Sequence, residues 1–130
     1  MTTILKGAFQ VKPKSYPEHI RAALHRSINK VAADPNACAK NPERDFSRKR
    51  KLPLRTMLLM LVGIGGGSLA KELYDWFDYS TNTASSSAFV QQRDKICPEA
   101  LEMIFKDFVS TTTPTATFQG YRLLAIDGSD

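Results

Sequence analysis

The chain has 130 residues, 42% of them hydrophobic, and a formal charge of +5 at pH 7. Its length allows one small domain or one domain and the start of another, and its apolar content excludes a wholly disordered chain. The charge is uneven, because residues 1–65 hold 13 Lys and Arg against 4 Asp and Glu, whereas residues 66–130 hold 5 against 9. The basic front half favours a polyanionic partner, and nucleic acid over a membrane.

No segment predicts a targeting signal or a membrane-spanning helix. Residues 1–12 lack a long apolar stretch with a cleavage site, and the most apolar run, from Met57, is too short to cross a bilayer. Cys38 and Cys97 are the two cysteines and lie far apart in the sequence, so neither a disulfide framework nor a zinc site is indicated. We therefore expect the protein to reside in a reducing cytoplasm.

Apolar residues spaced by three and four predict a mainly α-helical domain of about five helices at residues 17–109, after an N-terminal arm at residues 1–16. The predicted helices lie at residues 17–33, 53–62, 69–78, 88–96 and 98–109. The third is expected to be capped by Ser68 and the fourth by Ser86 or Ser87. The side chains that we expect to face inward on the last three helices are Leu69, Leu73, Trp76, Phe77, Phe89, Val90, Ile96, Leu101, Ile104, Phe105 and Phe108.

A basic run, RDFSRKRKLPLR at residues 44–55, closes a proline-rich segment that we expect to be a loop at residues 34–53. Cations this close together repel one another unless an anion lies among them, and each phosphate that they neutralise would release counterions. The run therefore predicts either a phosphate-binding segment or a solvated, mobile loop. The residues alone favour the two alternatives equally.

The third and fourth helices, with the Ser-rich segment between them, have the outline of a helix-turn-helix with an unusually long turn. Ser87, Gln91 and Lys95 are spaced by four and share one face of the fourth helix, with Gln92 beside them. Gln can form two hydrogen bonds with adenine in the major groove, and Lys can reach guanine or phosphate. An ordinary solvent-facing helix surface is the alternative, and composition alone favours it.

Beyond a Thr-rich linker at residues 110–117, the sequence predicts a β-strand at residues 121–126, followed by Asp127. An acid at the end of a strand can hold a metal ion for two-metal phosphoryl transfer, but Asp-Gly is also a common turn, which the residues alone favour. A single terminal strand has no partner for its backbone groups. We therefore expect residues 118–130 to begin a second, unfinished domain.

Four blocks of the chain, in the same order, resemble the front part of bacterial insertion-sequence DDE transposases, in the group named for insertion sequence four. The blocks are DFSRKRKLPL, GGGSLAKELYDWF, SAFVQQRDKICPEALEMIF and YRLLAIDGSD, within residues 40–130. The resemblance implies a helical DNA-binding domain followed by the first strand of a ribonuclease H-like catalytic domain. It also implies cut-and-paste transposition at the ends of the element, in a bacterial, nucleoid-associated protein that pairs two ends at least as a homodimer.

The resemblance assigns Asp127 as the first catalytic carboxylate and a Mg²⁺ ligand, and leaves Asp130 without a role. It implies double-stranded DNA as the partner, with contacts in the basic run and on the fourth helix. The residues expected to contact DNA, including Lys95 from its place on the helix face, are Arg48, Lys49, Arg50, Lys51, Ser87, Gln91, Gln92, Arg93 and Lys95.

The family also needs a second Asp and a Glu farther along the chain, and these have no counterpart in the 130 residues. We therefore expect this chain to bind DNA without cutting it. Two other functions stay open from the sequence: a non-catalytic remnant that binds element ends and represses transposition, and a helical interaction module whose basic loop contacts an acidic protein.

Overall fold

Six α-helices form most of the part of the chain that the computed structural model describes, which is residues 15–113, 117–124 and 128. This architecture confirms the predicted mainly α-helical class. The helices are α1 (Tyr16–Ala32), α2 (Pro35–Cys38), α3 (Leu54–Gly63), α4 (Leu69–Trp76), α5 (Ser86–Arg93) and α6 (Glu99–Thr112). Within the described ranges, no helix combines the length and the apolar character needed to cross a membrane.

Helix α1 begins at Tyr16, one residue before the predicted start, and Ser15 caps it. The backbone N–H of Ser15 donates to Oε2 of Glu18 at 2.8 Å, which completes a capping box, and Pro17 stands in the first turn, where its missing N–H costs nothing. One face of the helix, which includes Ala23, Ile28 and Val31, is buried. This face packs against α3 and α6, so α1 forms the centre of the domain.

The core lies where α1, α3 and α6 meet and extends to α5. Helix α3 is apolar on nearly every side and buries Met57 and Leu58 completely. Phe89 of α5 is 2% exposed and adds the largest of the fully buried side chains. The basic run therefore ends within the first turn of a helix that the core holds in place.

Helices α4 and α6 bury less of their apolar surface than the sequence predicts. Trp76 is 45% exposed and Phe105 is 65% exposed, whereas we expected both to face inward, and Leu101 is also exposed. Helix α1 packs against α6 on the side of Ile104 and covers it there. The apolar stripe of α6 is wider than this contact, so part of the stripe stays exposed. Apolar periodicity identifies a stripe, but the neighbouring helices decide how much of it is covered.

The segment predicted as a loop at residues 34–53 contains the short helix α2, which the sequence reading missed. Asp34 caps this helix by accepting from the backbone N–H of Asn36 at 3.1 Å. After α2 the chain pairs once with the segment between α5 and α6, through an isolated antiparallel bridge between Ala39 and Ile96. This pairing attaches the chain just after α2 to the chain just after α5.

The end of the chain departs from the prediction in two ways. Helix α6 continues to Thr112, into the predicted linker, where threonine hydroxyls donate back to carbonyls of the preceding turn. Tyr121 pairs only with Phe118, in an isolated bridge, and Leu123 and Leu124 are exposed without a strand partner in the described part of the chain. The predicted strand is therefore not formed over residues 121–124. Residues 125 and 126 of the predicted strand lie outside the described residues, and so do Asp127 and Asp130. The predicted arm up to residue 14 also lies outside them.

Candidate nucleic-acid interface

The structure brings the basic segment, residues 48–51, against helix α5. Leu52, which follows this segment directly, is 2% exposed, and its carbonyl accepts from the side-chain Nε2 of Gln92 at 3.3 Å. The exposed cations are therefore held at their C-terminal end by a buried leucine and a buried hydrogen bond. The two regions that the resemblance connects with DNA lie side by side in the fold.

A groove of ≈ 510 Å³ lies between the basic segment and α5, and we call it the basic groove. It contains three cationic side chains, those of Arg50, Lys51 and Lys95, and no carboxylate lies among its lining residues. Gln91 lines the same groove and is exposed. A concave surface with three cations and no carboxylates raises the local concentration of anions such as phosphate.

A second groove, of ≈ 410 Å³, adjoins the first and shares Arg50, Gln92 and Lys95 with it. Arg44 and Arg48 add positive charge there, but two carboxylates, those of Glu43 and Asp45, also line it. Because the acids offset part of the positive charge, this second groove attracts phosphate less strongly than the basic groove. We therefore regard the basic groove as the candidate site.

Lys95 occupies a defined position between the two grooves. Its Nζ donates to Oε1 of Gln92 at 2.7 Å, and its backbone carbonyl accepts from the N–H of Lys40 at 2.9 Å. A neutral amide holds the ammonium group in place without neutralising it, so the full charge of Lys95 remains available to a bound anion.

Gln92 is buried, which corrects its predicted place on the exposed face of α5. It is 6% exposed, and both ends of its amide have partners, Leu52 and Lys95. A buried amide whose hydrogen bonds are made within the protein has no free donor–acceptor pair for a base. Gln91, one position earlier, is the glutamine that faces solvent.

The other predicted contact residues divide into two groups. Arg48, Arg50, Lys51, Gln91 and Lys95 line one or both grooves. Lys49, Ser87 and Arg93 are exposed but line neither. Arg93 lies beside Asp94, with 3.4 Å between Nη2 and Oδ1, which offsets part of its charge.

Two features of the site were missed from the sequence. Ser85, not Ser86 or Ser87, caps α5, and its Oγ accepts from the N–H of Ala88 at 3.2 Å. Ser85 and Thr83 also line the basic groove, so the turn before α5 contributes to its wall. Three successive serines, at residues 85–87, offer three candidate caps, and the sequence alone does not distinguish between them.

Helices α4 and α5 contact each other across residues 77–85, so the predicted pair of neighbouring helices is present with a long connection. That connection departs from helical geometry at Asp78 and Tyr79, whose φ angles are 52° and 54°. The Tyr79 hydroxyl donates to Asp75 at 2.6 Å, and its ring stacks on that of Tyr74. These contacts attach the connection to the end of α4.

The described residues contain no group of three or more His, Cys, Asp and Glu side chains that could hold a metal ion. Asp127, the predicted Mg²⁺ ligand, lies outside them. Comparisons of the chain with protein-family models, with curated proteins and with solved structures give no match.

Proposed function

We propose that this chain is the N-terminal part of a DDE transposase of the insertion sequence four group, and that its basic groove binds double-stranded DNA at the ends of the element. The observation that carries the proposal is the convergence of Arg50 and Lys51 with Gln91 and Lys95 in one groove. These two pairs belong to separate blocks of the resemblance, and nothing in their sequence spacing requires them to meet.

The chemistry of the groove suits a duplex whose phosphates bind the cations while one base edge meets a polar side chain. Arg50, Lys51 and Lys95 supply positive charge for the sequence-independent part of binding, which releases counterions and therefore weakens as salt increases. Gln91 is exposed and can offer both a donor and an acceptor to adenine. In this proposal the cations position the DNA and Gln91 recognises the base sequence.

The catalytic part of the proposal rests on the resemblance. In a full-length parent, Asp127 would be one carboxylate ligand of Mg²⁺, together with an Asp and a Glu that lie farther along such a chain. The metal ions would activate the attacking oxygen in strand cleavage and transfer. The 130-residue chain itself would bind DNA in the bacterial cytoplasm, at the nucleoid, without cutting it, and a homodimer would pair two element ends.

The decisive experiment compares two double variants that each remove two cations. Arg50→Ala with Lys51→Ala removes charge from the basic groove. Lys71→Ala with Lys106→Ala removes the same charge from α4 and α6, where the lysines pair with Asp75 and Glu102. Binding of a fluorescent duplex is followed by anisotropy at several salt concentrations.

We expect the groove variant to bind duplex DNA more weakly and to have a shallower dependence of log K on log salt. The slope should fall in magnitude by about 1.8, because each phosphate contact contributes roughly 0.9. The control variant should keep the parental slope. Equal slopes for the parent and both variants would show that the basic groove does not bind DNA.

A further inference from the structure

The two cysteines of the chain lie opposite each other in the fold, although they are distant in the sequence. Ala39 and Ile96 form an antiparallel bridge, and the flanking hydrogen bonds define its register. The N–H of Cys97 donates to the carbonyl of Cys38 at 2.7 Å, and the N–H of Lys40 donates to the carbonyl of Lys95 at 2.9 Å. One step from the bridge, the first of these bonds joins Cys97 to Cys38, the last residue of α2.

The 2.7 Å hydrogen bond from the N–H of Cys97 to the carbonyl of Cys38, with the covalent bonds on either side of it, keeps the two Cα atoms within about 6.6 Å of each other. A disulfide needs Cα atoms roughly 4.4–6.8 Å apart, so the backbones at Cys38 and Cys97 are close enough for one. Both thiols are free in the structure. The sequence separation of the two residues therefore does not prevent a disulfide, and the tertiary structure removes the main obstacle to one.

The surroundings of the two thiols differ, and the difference determines which thiol reacts first. Cys38 is fully buried, and its Sγ donates to the carbonyl of Val31 at 3.1 Å. Burial, and then the nearby charges of Asp34 and Cys97, raise the pKa of the Cys38 thiol. Cys97 is half-buried. Because the thiolate is the reactive form and must meet its oxidant, Cys97 reacts first.

We infer that Cys38 and Cys97 form a reversible intramolecular disulfide by exchange with a small-molecule disulfide of the glutathione class. The Cys97 thiolate attacks one sulfur of the oxidant, which forms a mixed disulfide and releases one thiolate. The Cys38 thiolate then attacks the Cys97 sulfur and releases the second thiolate. The protein loses two protons and two electrons, and the oxidant gains them as two thiols.

This disulfide would covalently join the end of α2 to the segment between α5 and α6. A neighbouring backbone hydrogen bond joins Lys40, which precedes the basic segment, to Lys95, which lines the basic groove. The cross-link would also restrict the unfolded chain, because it closes a long loop, and so would stabilise the fold.

The test uses the full 130-residue chain in glutathione buffers that range from fully reduced to fully oxidised. Free thiols are alkylated at each point, and mass spectrometry counts them and identifies any Cys38–Cys97 cross-linked peptide. We expect the parent to lose two hydrogens as a monomer and its melting midpoint to rise by roughly 10 °C or more. Cys97→Ser should take up no glutathione at Cys38 and show no rise.

Cys97→Ser is the main control because Cys38→Ser places a hydroxyl in the core and can fail to fold. Two outcomes would overturn the inference. One is a parent in which both thiols remain alkylated at every glutathione ratio, and the other is oxidation that stops at a mixed disulfide or links two chains. These measurements need no DNA, so their failure leaves the proposed DNA binding intact.

Discussion

The sharpest test of the fold is the replacement of Gln92 by alanine, with Gln91→Ala as its matched control. Gln92 is buried and its Nε2 donates to the carbonyl of Leu52, whereas the adjacent Gln91 is exposed. The two substitutions remove the same atoms from neighbouring positions on α5. Any difference in stability between them therefore reports the buried position of one glutamine.

The expected cost follows from what the Gln92 side chain contacts. Its loss leaves the buried Leu52 carbonyl without a donor, which costs about 1–3 kcal/mol, and removes a buried methylene, worth roughly 0.8 kcal/mol. We expect Gln92→Ala to lower the free energy of unfolding by about 2–4 kcal/mol. Gln91→Ala should change it by less than about 0.5 kcal/mol, because exposed substitutions seldom do more.

Urea unfolding followed by circular dichroism measures both values, and duplex binding of the same samples under native conditions gives a second readout. We expect Gln91→Ala to weaken binding to DNA selected from a random pool more than binding to unselected DNA. If the two variants were equally stable, the basic segment would not be anchored to α5 through Leu52, and the basic groove as described would not exist.

Two further predictions concern helix α6. Ile104→Ala should lower the free energy of unfolding by about 2–5 kcal/mol, whereas Phe105→Ala should lower it much less, because Ile104 is buried and Phe105 is mostly exposed. Urea denaturation measures both values, and the reverse order would mean that the opposite face of α6 is buried. Hydrogen bonds from Lys30 and then Ser27 lower the pKa of Asp107, so its stabilising effect is complete above its unfolded pKa of about 3.9 and is lost as the pH falls through the lower folded value. Asp107→Asn should therefore flatten the dependence of the unfolding free energy on pH between about pH 5 and 3, and unchanged pH curves would show that these hydrogen bonds do not bias its protonation.

The local patterns of the sequence were enough to predict the helical class and the positions of most helices. Capping residues and apolar spacing depend on near neighbours, which is why α1 and α3 lie close to their predicted bounds. The charge of the basic run left phosphate binding and a solvated loop equally favoured, and its predicted role in DNA binding comes from the resemblance. The resemblance to transposases, and with it Asp127 and Mg²⁺, depends on motif order and stays a proposal.

Only the tertiary structure decided which of these residues meet. The sequence alone cannot tell which of Gln91 and Gln92 is buried, because that depends on where Leu52 packs against α5. It also could not show that Cys38 faces Cys97, or that Phe105 stays uncovered while Ile104 is buried. Periodicity describes one helix at a time, whereas burial and long-range pairing depend on how all of the helices pack together. The sequence by itself therefore determined the helices and their charges, and packing determined the groove.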